Sequence, residues 1–268
     1  MKKISILGCG WLGLPLAKSL LAKGFSVKGS TTSLAKISLL NNAGIEAFQI
    51  EVSEQEIKGE IESFLENSEI LIIDIPPKLR GTNSENFVAK IQNLIPFIKK
   101  STVQKVLFIS STAIYNDNYS TVTETTQTEP DTESGKQLLE VEKLFLLSIF
   151  DFSTTIIRFG GLIGDDRHPV HFLAGKQNLG NPDAPINLIH QIDCIGIIER
   201  IIELNRWNDK FNAVAPFHPK RKEYYTQKAT ELGLPLPQFA ETSTSFGKVI
   251  LANKIEDDLN YVFQNTIL

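Results

Sequence analysis

The 268-residue chain has few of the residues that build metal clusters or disulfide frameworks, with 2 Cys, 4 His and 2 Trp. Cys9 and Cys194 lie in different segments without a C-x-x-C spacing, which argues against a disulfide framework and a zinc cluster. Basic residues are not in excess either, because 27 Lys and Arg face 31 Asp and Glu, for a formal charge of −4. Nucleic acid is therefore not an expected partner.

Long hydrophobic runs are also missing. The apolar run after the N-terminal lysines is interrupted by Gly8 and Gly10, well short of the roughly 20 apolar residues of a spanning helix. We therefore expect no signal peptide and no membrane segment, and a cytoplasmic location. A chain of this length suits one large domain, or a large domain with a small appendage.

Short apolar runs alternate with longer amphipathic runs over the first part of the chain. Runs such as ILIID and VLFIS are apolar on both faces, which is typical of parallel strands covered by helices on each side. The pattern predicts an α/β fold with a doubly wound parallel-sheet Rossmann core over residues 1–158, to which 186–212 return. The loop-rich segment 159–185 and residues 213–268 are predicted to form a small C-terminal substrate lobe.

The stretch GCGWLG has G-x-G-x-x-G spacing directly after one predicted strand and before a predicted helix. In that context Gly8 permits a tight turn, Gly10 lets the backbone approach a pyrophosphate, and Gly13 lets the helix pack closely on the strand. Trp11 and Leu12 would add backbone N–H groups at the helix N-terminus, which attracts anions. These five residues are the predicted dinucleotide-binding turn.

The ends of two further strands complete the predicted cofactor site. An NAD site usually has Asp or Glu after the second strand, against the ribose 2′-hydroxyl, but this chain has hydroxyl side chains there: Ser30, Thr31 and Thr32. No acidic residue precedes Glu46, so we expect NADP or NAD as cofactor, with a slight preference for NADP. Ile75 and Pro76 are predicted to line the ribose side, and a structural end to the strand is the alternative.

The stretches KVLFISSTAIYNDN, RFGGLIGDDR and INLIHQID, together with GCGWLG, resemble the extended and atypical short-chain dehydrogenase/reductases, which include NAD-dependent epimerases and dehydratases. The resemblance implies NAD(P) bound across the first turn and a small-molecule substrate; a homo-oligomer is compatible with it. By matching position, Ser111 would hydrogen-bond the reacting hydroxyl or carbonyl. The family's Tyr-x-x-x-Lys acid/base pair is missing, because Ser134 and Leu138 stand at those positions.

Other side chains are candidates for the proton transfer. Tyr115 lies nearest along the chain, and Ser111 and Tyr115 are therefore the predicted catalytic residues. Tyr224, in a Tyr-x-x-x-Lys spacing of the second lobe, is expected on a solvent-facing side of its helix. Arg167 and His168 are predicted to contact substrate, since arginine matches anionic oxygens and histidine exchanges protons; an unspecific polar loop is the alternative. No metal site is expected.

Two functions remain open from the sequence. The first is an epimerase/dehydratase-like oxidoreductase that transfers hydride on a hydroxyl or keto group of a sugar-like substrate. The second is a non-catalytic NAD(P)-binding sensor or regulatory protein. The intact serine strand favours the first, and the missing Tyr-Lys pair favours the second.

Overall fold

The main sheet of the protein has seven parallel strands. The structure, a computed structural model, describes residues 2–77, 85–117, 121–241 and 246–265. The strands are β1 Lys3–Leu7, β2 Ser26–Thr31, β3 Glu46–Gln49, β4 Ile70–Ile73, β5 Lys105–Ser111, β6 Ser153–Phe159 and β7 Lys210–Ala213. Their spatial order is β7-β6-β5-β4-β1-β2-β3, so the winding reverses between β1 and β4. This order confirms the predicted doubly wound Rossmann fold.

Helices cover the sheet and connect its strands. They are α1 Gly13–Ala22, α2 Ile37–Asn42, α3 Ile61–Leu65, α4 Phe87–Lys100, α5 Glu133–Leu147, α6 Val170–Leu173, α7 Gln191–Glu203, α8 Arg221–Glu231 and α9 Asn253–Leu259. Short two- or three-residue strands pair outside the main sheet: Glu51–Val52 with Ile57–Lys58, Thr121–Val122 with Val249–Ile250, and Gly161–Ile163 with Leu188–His190.

Burial explains why the strands could be predicted. All four residues of β4 are buried, as expected for a central parallel strand with helices on both faces. α1 buries one face through Leu16, Ala17 and Leu20, the spacing of an amphipathic helix. Side-chain caps begin the three longest described helices, α4, α5 and α7. For example, the Thr132 hydroxyl accepts a hydrogen bond from Gly135 N at 3.1 Å.

α1 and α7 lie side by side and are joined by polar contacts. Ser19 Oγ lies 2.5 Å from Glu199 Oε1, and Lys23 Nζ lies 2.6 Å from Glu203 Oε1. Each pair of residues is separated by 180 positions in the chain. The start of the chain is therefore held by a helix from its last third.

The buried apolar residues form two clusters. The large one fills both sides of the main sheet. The small one combines residues of the predicted lobe with two residues of segment 186–212: Ile163, Val170, Ile186, Leu188, Tyr224, Tyr225 and Ala229. α8 belongs to the small cluster, whereas α9 packs into the large one through Ile255 and Leu259. The last part of the predicted lobe 213–268 thus joins the main core, and the lobe boundaries stay a prediction.

In the described part of the chain, no helix combines the length and apolar character needed to span a bilayer.

Candidate dinucleotide site

Packing fixes two of the three glycines in the turn after β1. Gly8 has a φ of +110°, and a Cβ there would lie 2.3 Å from the backbone oxygen of Asp74. A Cβ at Gly13 would lie 2.2 Å from the backbone oxygen of Gly8. Gly10 differs, because it is exposed and a Cβ there would meet nothing within 4 Å. The turn therefore leaves open space beside the Gly10 Cα, next to the N-terminus of α1, while the Gly10 N–H donates to the Gly8 carbonyl at 2.9 Å.

Ser30 holds this turn against β2. Its hydroxyl accepts a hydrogen bond from Gly8 N at 2.9 Å, and its carbonyl accepts one from Cys9 N at 2.7 Å. The Cys9 side chain is buried beside Gly29, and burial raises the pKa of its thiol to about 12. The Ser30 hydroxyl thus supports the glycine turn, a contact that the sequence did not indicate.

The polar residues after β2 differ in exposure. The buried Thr31 accepts a hydrogen bond from Ser33 N at 3.2 Å, whereas Thr32 is exposed. Lys28 is buried, and its ammonium donates to the carbonyls of Ser63 and Glu66 at 2.5 and 3.0 Å. Its pKa is lowered by burial. Lys28 is therefore engaged inside the fold and does not face a ligand at the strand end.

The end of β4 places a carboxyl group against the glycine turn. Asp74 N donates to Leu7 O at 2.9 Å, and Asp74 Oδ2 lies 3.2 Å from the position of a Cβ on Gly13. Burial raises the pKa of Asp74 to about 7, although the Gly13 N–H and the charge of Arg167 oppose the shift. The sequence places this half-buried residue at the sheet edge but indicates no role for it, because nothing in the sequence shows that the carboxyl lies against the glycine turn.

The other predicted residues of this strand end are more open. Ile75 is half-buried, with its side chain 3.2 Å from a Cβ position on Gly8, and Pro76 is exposed. Their role toward a ribose stays a prediction.

Trp11 connects the glycine turn to a distant loop. Its indole N–H donates to Asp166 Oδ1 at 2.7 Å, and the Arg167 guanidinium carbon lies 4.9 Å from the centre of its ring. Gln191 Nε2 donates to the Trp11 carbonyl at 2.7 Å. Leu12 is buried and directly precedes α1. Arg167, predicted for substrate, therefore lies over the glycine turn with its side chain stacked on Trp11.

Ser111 ends β5 at the same edge of the sheet. It is half-buried, and its hydroxyl accepts a hydrogen bond from Ala113 N at 3.2 Å. A Cβ on Gly135 would lie 2.2 Å from the carbonyl oxygen of Ala113, so the first turn of α5 packs against this loop. The half-buried Ser134 lies in that turn, and Leu138, one turn later, is buried. Neither Ser134 nor Leu138 can therefore take the place of the tyrosine or the lysine of the family's Tyr-x-x-x-Lys acid/base pair.

Tyr115 belongs to a buried polar network. Arg158 Nη1 donates to the Tyr115 hydroxyl at 2.5 Å, and that hydroxyl donates to Asn212 Oδ1 at 3.0 Å. Arg158 also pairs with Glu142 at 2.7 Å, and Glu142 accepts from Ser110 Oγ at 2.6 Å. Burial raises the pKa of Tyr115 despite the nearby Arg158 charge. The Tyr115 hydroxyl is therefore engaged within the core, unlike that of Ser111.

His168 contacts α8, in the predicted substrate lobe. Its Nδ1 accepts from Val170 N at 3.1 Å, so its Nε2–H donates to the Tyr224 hydroxyl at 2.8 Å. Burial lowers the pKa of His168 to about 4 and raises that of Tyr224. Lys228 pairs with Glu231 at 3.0 Å. The expectation of a solvent-facing Tyr224 is wrong, because the residue is buried in the small cluster.

The sheet order and the glycine turn give the protein the fold of solved epimerases and short-chain dehydrogenase/reductases. UDP-glucuronic acid 4-epimerase of Bacillus cereus, solved in complex with NAD, aligns with a TM-score of 0.83 at 16% identity, covering 98% of this chain and 92% of that one. A short-chain dehydrogenase/reductase superfamily protein of Agrobacterium tumefaciens with bound NAD aligns with a TM-score of 0.79 at 15% identity, with the same two coverages.

A closer relationship appears in the sequence. Protein YeeZ of Escherichia coli strain K12 is 34% identical over 269 residues, which cover 98% of this chain and 96% of that protein. The chain belongs to the same family as Protein YeeZ. No family model matches it.

Proposed function

We propose that the protein binds NAD or NADP at the turn Gly8–Gly13. The observation that carries the proposal is the contrast among the glycines: Gly8 and Gly13 are closed by packing, whereas Gly10 opens to solvent beside the N-terminus of a ten-residue helix. Such a terminus favours phosphate oxygens through its free N–H groups and dipole. The NAD complexes of structures with this fold support the same ligand.

The preference for NADP over NAD rests on the residues that follow β2. The exposed polar side chains there are those of Thr32 and Lys36, and no carboxylate precedes Glu46 in the chain. A 2′-phosphate would therefore meet a hydroxyl and a cation without a repelling acid.

We further propose an epimerase/dehydratase-like oxidoreductase activity on a hydroxyl or keto group of a sugar-like small molecule. The bound nicotinamide would supply or accept the hydride. Ser111 would orient the reacting oxygen, because its hydroxyl lies at the carboxyl end of β5 and its proton is free to donate. Arg167 would hold anionic oxygens above the turn. The UDP-sugar epimerase of the same fold supports this substrate class.

The proton must then move through a group other than the family's tyrosine. Tyr115 is occupied by Arg158 and Asn212, which argues for a positioning role. His168 is the remaining predicted residue, and it is neutral at neutral pH because burial lowers its pKa to about 4. With Nδ1 accepting a backbone N–H, it would act through the Tyr224 hydroxyl or a water molecule.

A second candidate function is an NAD(P)-binding sensor or regulatory protein without catalysis. The observation that favours it is the buried Leu138 at the position of the expected lysine, together with the engaged hydroxyl of Tyr115. Both functions require the dinucleotide, and only the first requires turnover.

Fluorescence titration with NADH and NADPH tests dinucleotide binding, which both functions require. Replacing Gly10 with Ala puts a methyl group where the diphosphate would approach, and overpacking of about 1–3 kcal/mol would weaken binding roughly 5- to 150-fold. Gly180→Ala is the matched control, because a Cβ at Gly180 also meets nothing within 4 Å. Equal affinity of the two variants, or no saturable binding by the unaltered protein, would contradict the proposal.

Turnover separates the two functions. The oxidised cofactor and a panel of UDP-sugars should give reduced-nicotinamide absorbance, or an epimerised product, if the protein is an oxidoreductase. A tightly bound cofactor with neither signal would favour the sensor.

A further inference from the structure

Asp74 lies where the dinucleotide turn would receive an anion. The residue directly follows β4, its backbone oxygen closes the space beside Gly8, and its Oδ2 lies 3.2 Å from a Cβ position on Gly13, the first residue of α1. The Gly13 N–H stabilises the charged form of this carboxyl. Protein and ligand therefore offer two anions to one helix terminus: the Asp74 carboxylate and the diphosphate.

The groups that face Asp74 do little to neutralise it. Cys9 lies in the glycine turn and Cys194 in α7, and both are buried thiols whose pKa values are raised, partly by the Asp74 charge. Arg167 is the cation that acts on the carboxyl, but it is exposed and stacked on Trp11. Burial consequently dominates, and the pKa of Asp74 rises to about 7.

We propose, on the basis of the proposed dinucleotide binding, that Asp74 must be protonated for the diphosphate to bind, so that binding takes up one proton from solvent. Two like charges at one site cannot both ionise freely, and the diphosphate remains ionised at neutral pH. The neutral carboxyl can stay in place beside the Gly13 N–H. Asp74 thereby makes cofactor affinity depend on pH, a property that the glycine motif alone would not confer.

The test is the dissociation constant of NADH between pH 6 and 9, since its diphosphate does not titrate in this range. The affinity of the unaltered protein should be nearly constant below pH 7 and fall about tenfold per pH unit above it, to roughly 100-fold weaker at pH 9 than at pH 6. Asp74→Asn, which carries no titratable group, should bind with little pH dependence and more tightly than the unaltered protein at pH 9.

Asp165→Asn is the control, because this carboxylate of the Arg167 loop is fully exposed and its removal changes the net charge equally. It should retain the pH dependence. Calorimetry of the unaltered protein in buffers of different ionisation enthalpy gives a second readout, and should show close to one proton taken up per NADH at pH 8.

The outcomes distinguish this inference from the proposed function. Saturable NADH binding without pH dependence or proton uptake, or weaker binding by Asp74→Asn at every pH, would overturn the role of Asp74 and leave dinucleotide binding intact. Absence of binding by the unaltered protein and Asp74→Asn alike at pH 6 would overturn both.

Discussion

Replacing Tyr115 with Phe tests whether this residue is structural or catalytic. The change removes one buried hydroxyl that accepts from Arg158 at 2.5 Å and donates to Asn212 at 3.0 Å. A buried polar group that loses its partner costs about 1–3 kcal/mol. Arg158 retains its ion pair with Glu142, so we expect a total loss of about 2–3 kcal/mol in the free energy of unfolding.

The measurement is urea unfolding followed by circular dichroism, with a thermal melt as a second readout. For a protein of this size, a loss of that magnitude corresponds to a melting temperature lower by about 5–10 °C. NADH affinity should not change, because none of the hydrogen bonds of the Tyr115 hydroxyl reaches the glycine turn.

Tyr225→Phe is the matched control for this experiment. Tyr225 is also buried, but its hydroxyl makes no hydrogen bond to the described residues. We expect its removal to change the free energy of unfolding by less than about 0.5 kcal/mol. If Tyr115→Phe cost no more than this control while abolishing turnover, the structural assignment would be refuted and the catalytic prediction supported.

Two further predictions concern stability. Gly13→Ala should lower the free energy of unfolding by about 1–3 kcal/mol in urea titrations, because its Cβ would lie 2.2 Å from a backbone oxygen, and a value near zero would show that the turn adjusts freely. His168 has a pKa of about 4 in the folded protein, against 6.5 as its ordinary value, so the folded state binds fewer protons between these values and stability falls as pH drops through this window. His168→Gln should make that fall smaller, and unfolding curves of the two proteins with identical pH dependence would contradict the assignment.

The strands of the sheet could be predicted because their signal is local. A buried parallel strand such as β4 is apolar on both faces, and the glycine turn follows β1 within the same short stretch. The open space beside Gly10 could be anticipated for the same reason. These features depend on residues close together in the sequence.

The contacts within the site could not be predicted, because they join residues far apart. Trp11 meets Asp166 across 155 positions, and Tyr115 meets Asn212 across 97. Whether a tyrosine hydroxyl faces a ligand or an arginine depends on such tertiary contacts. Asp74 illustrates the same limit, since its position after a strand is visible in the sequence but its closeness to Gly13 is not.

The contacts between α1 and α7 also bear on synthesis of the protein. Trp11, Ser19 and Lys23 each contact a residue 180 positions later. At about 5–20 residues per second, those partners leave the ribosome roughly 10–40 seconds after the glycine turn. During this interval the nascent chain carries the motif without the helix that holds it. The segment of the site that is translated first is therefore completed only after α7 has been made.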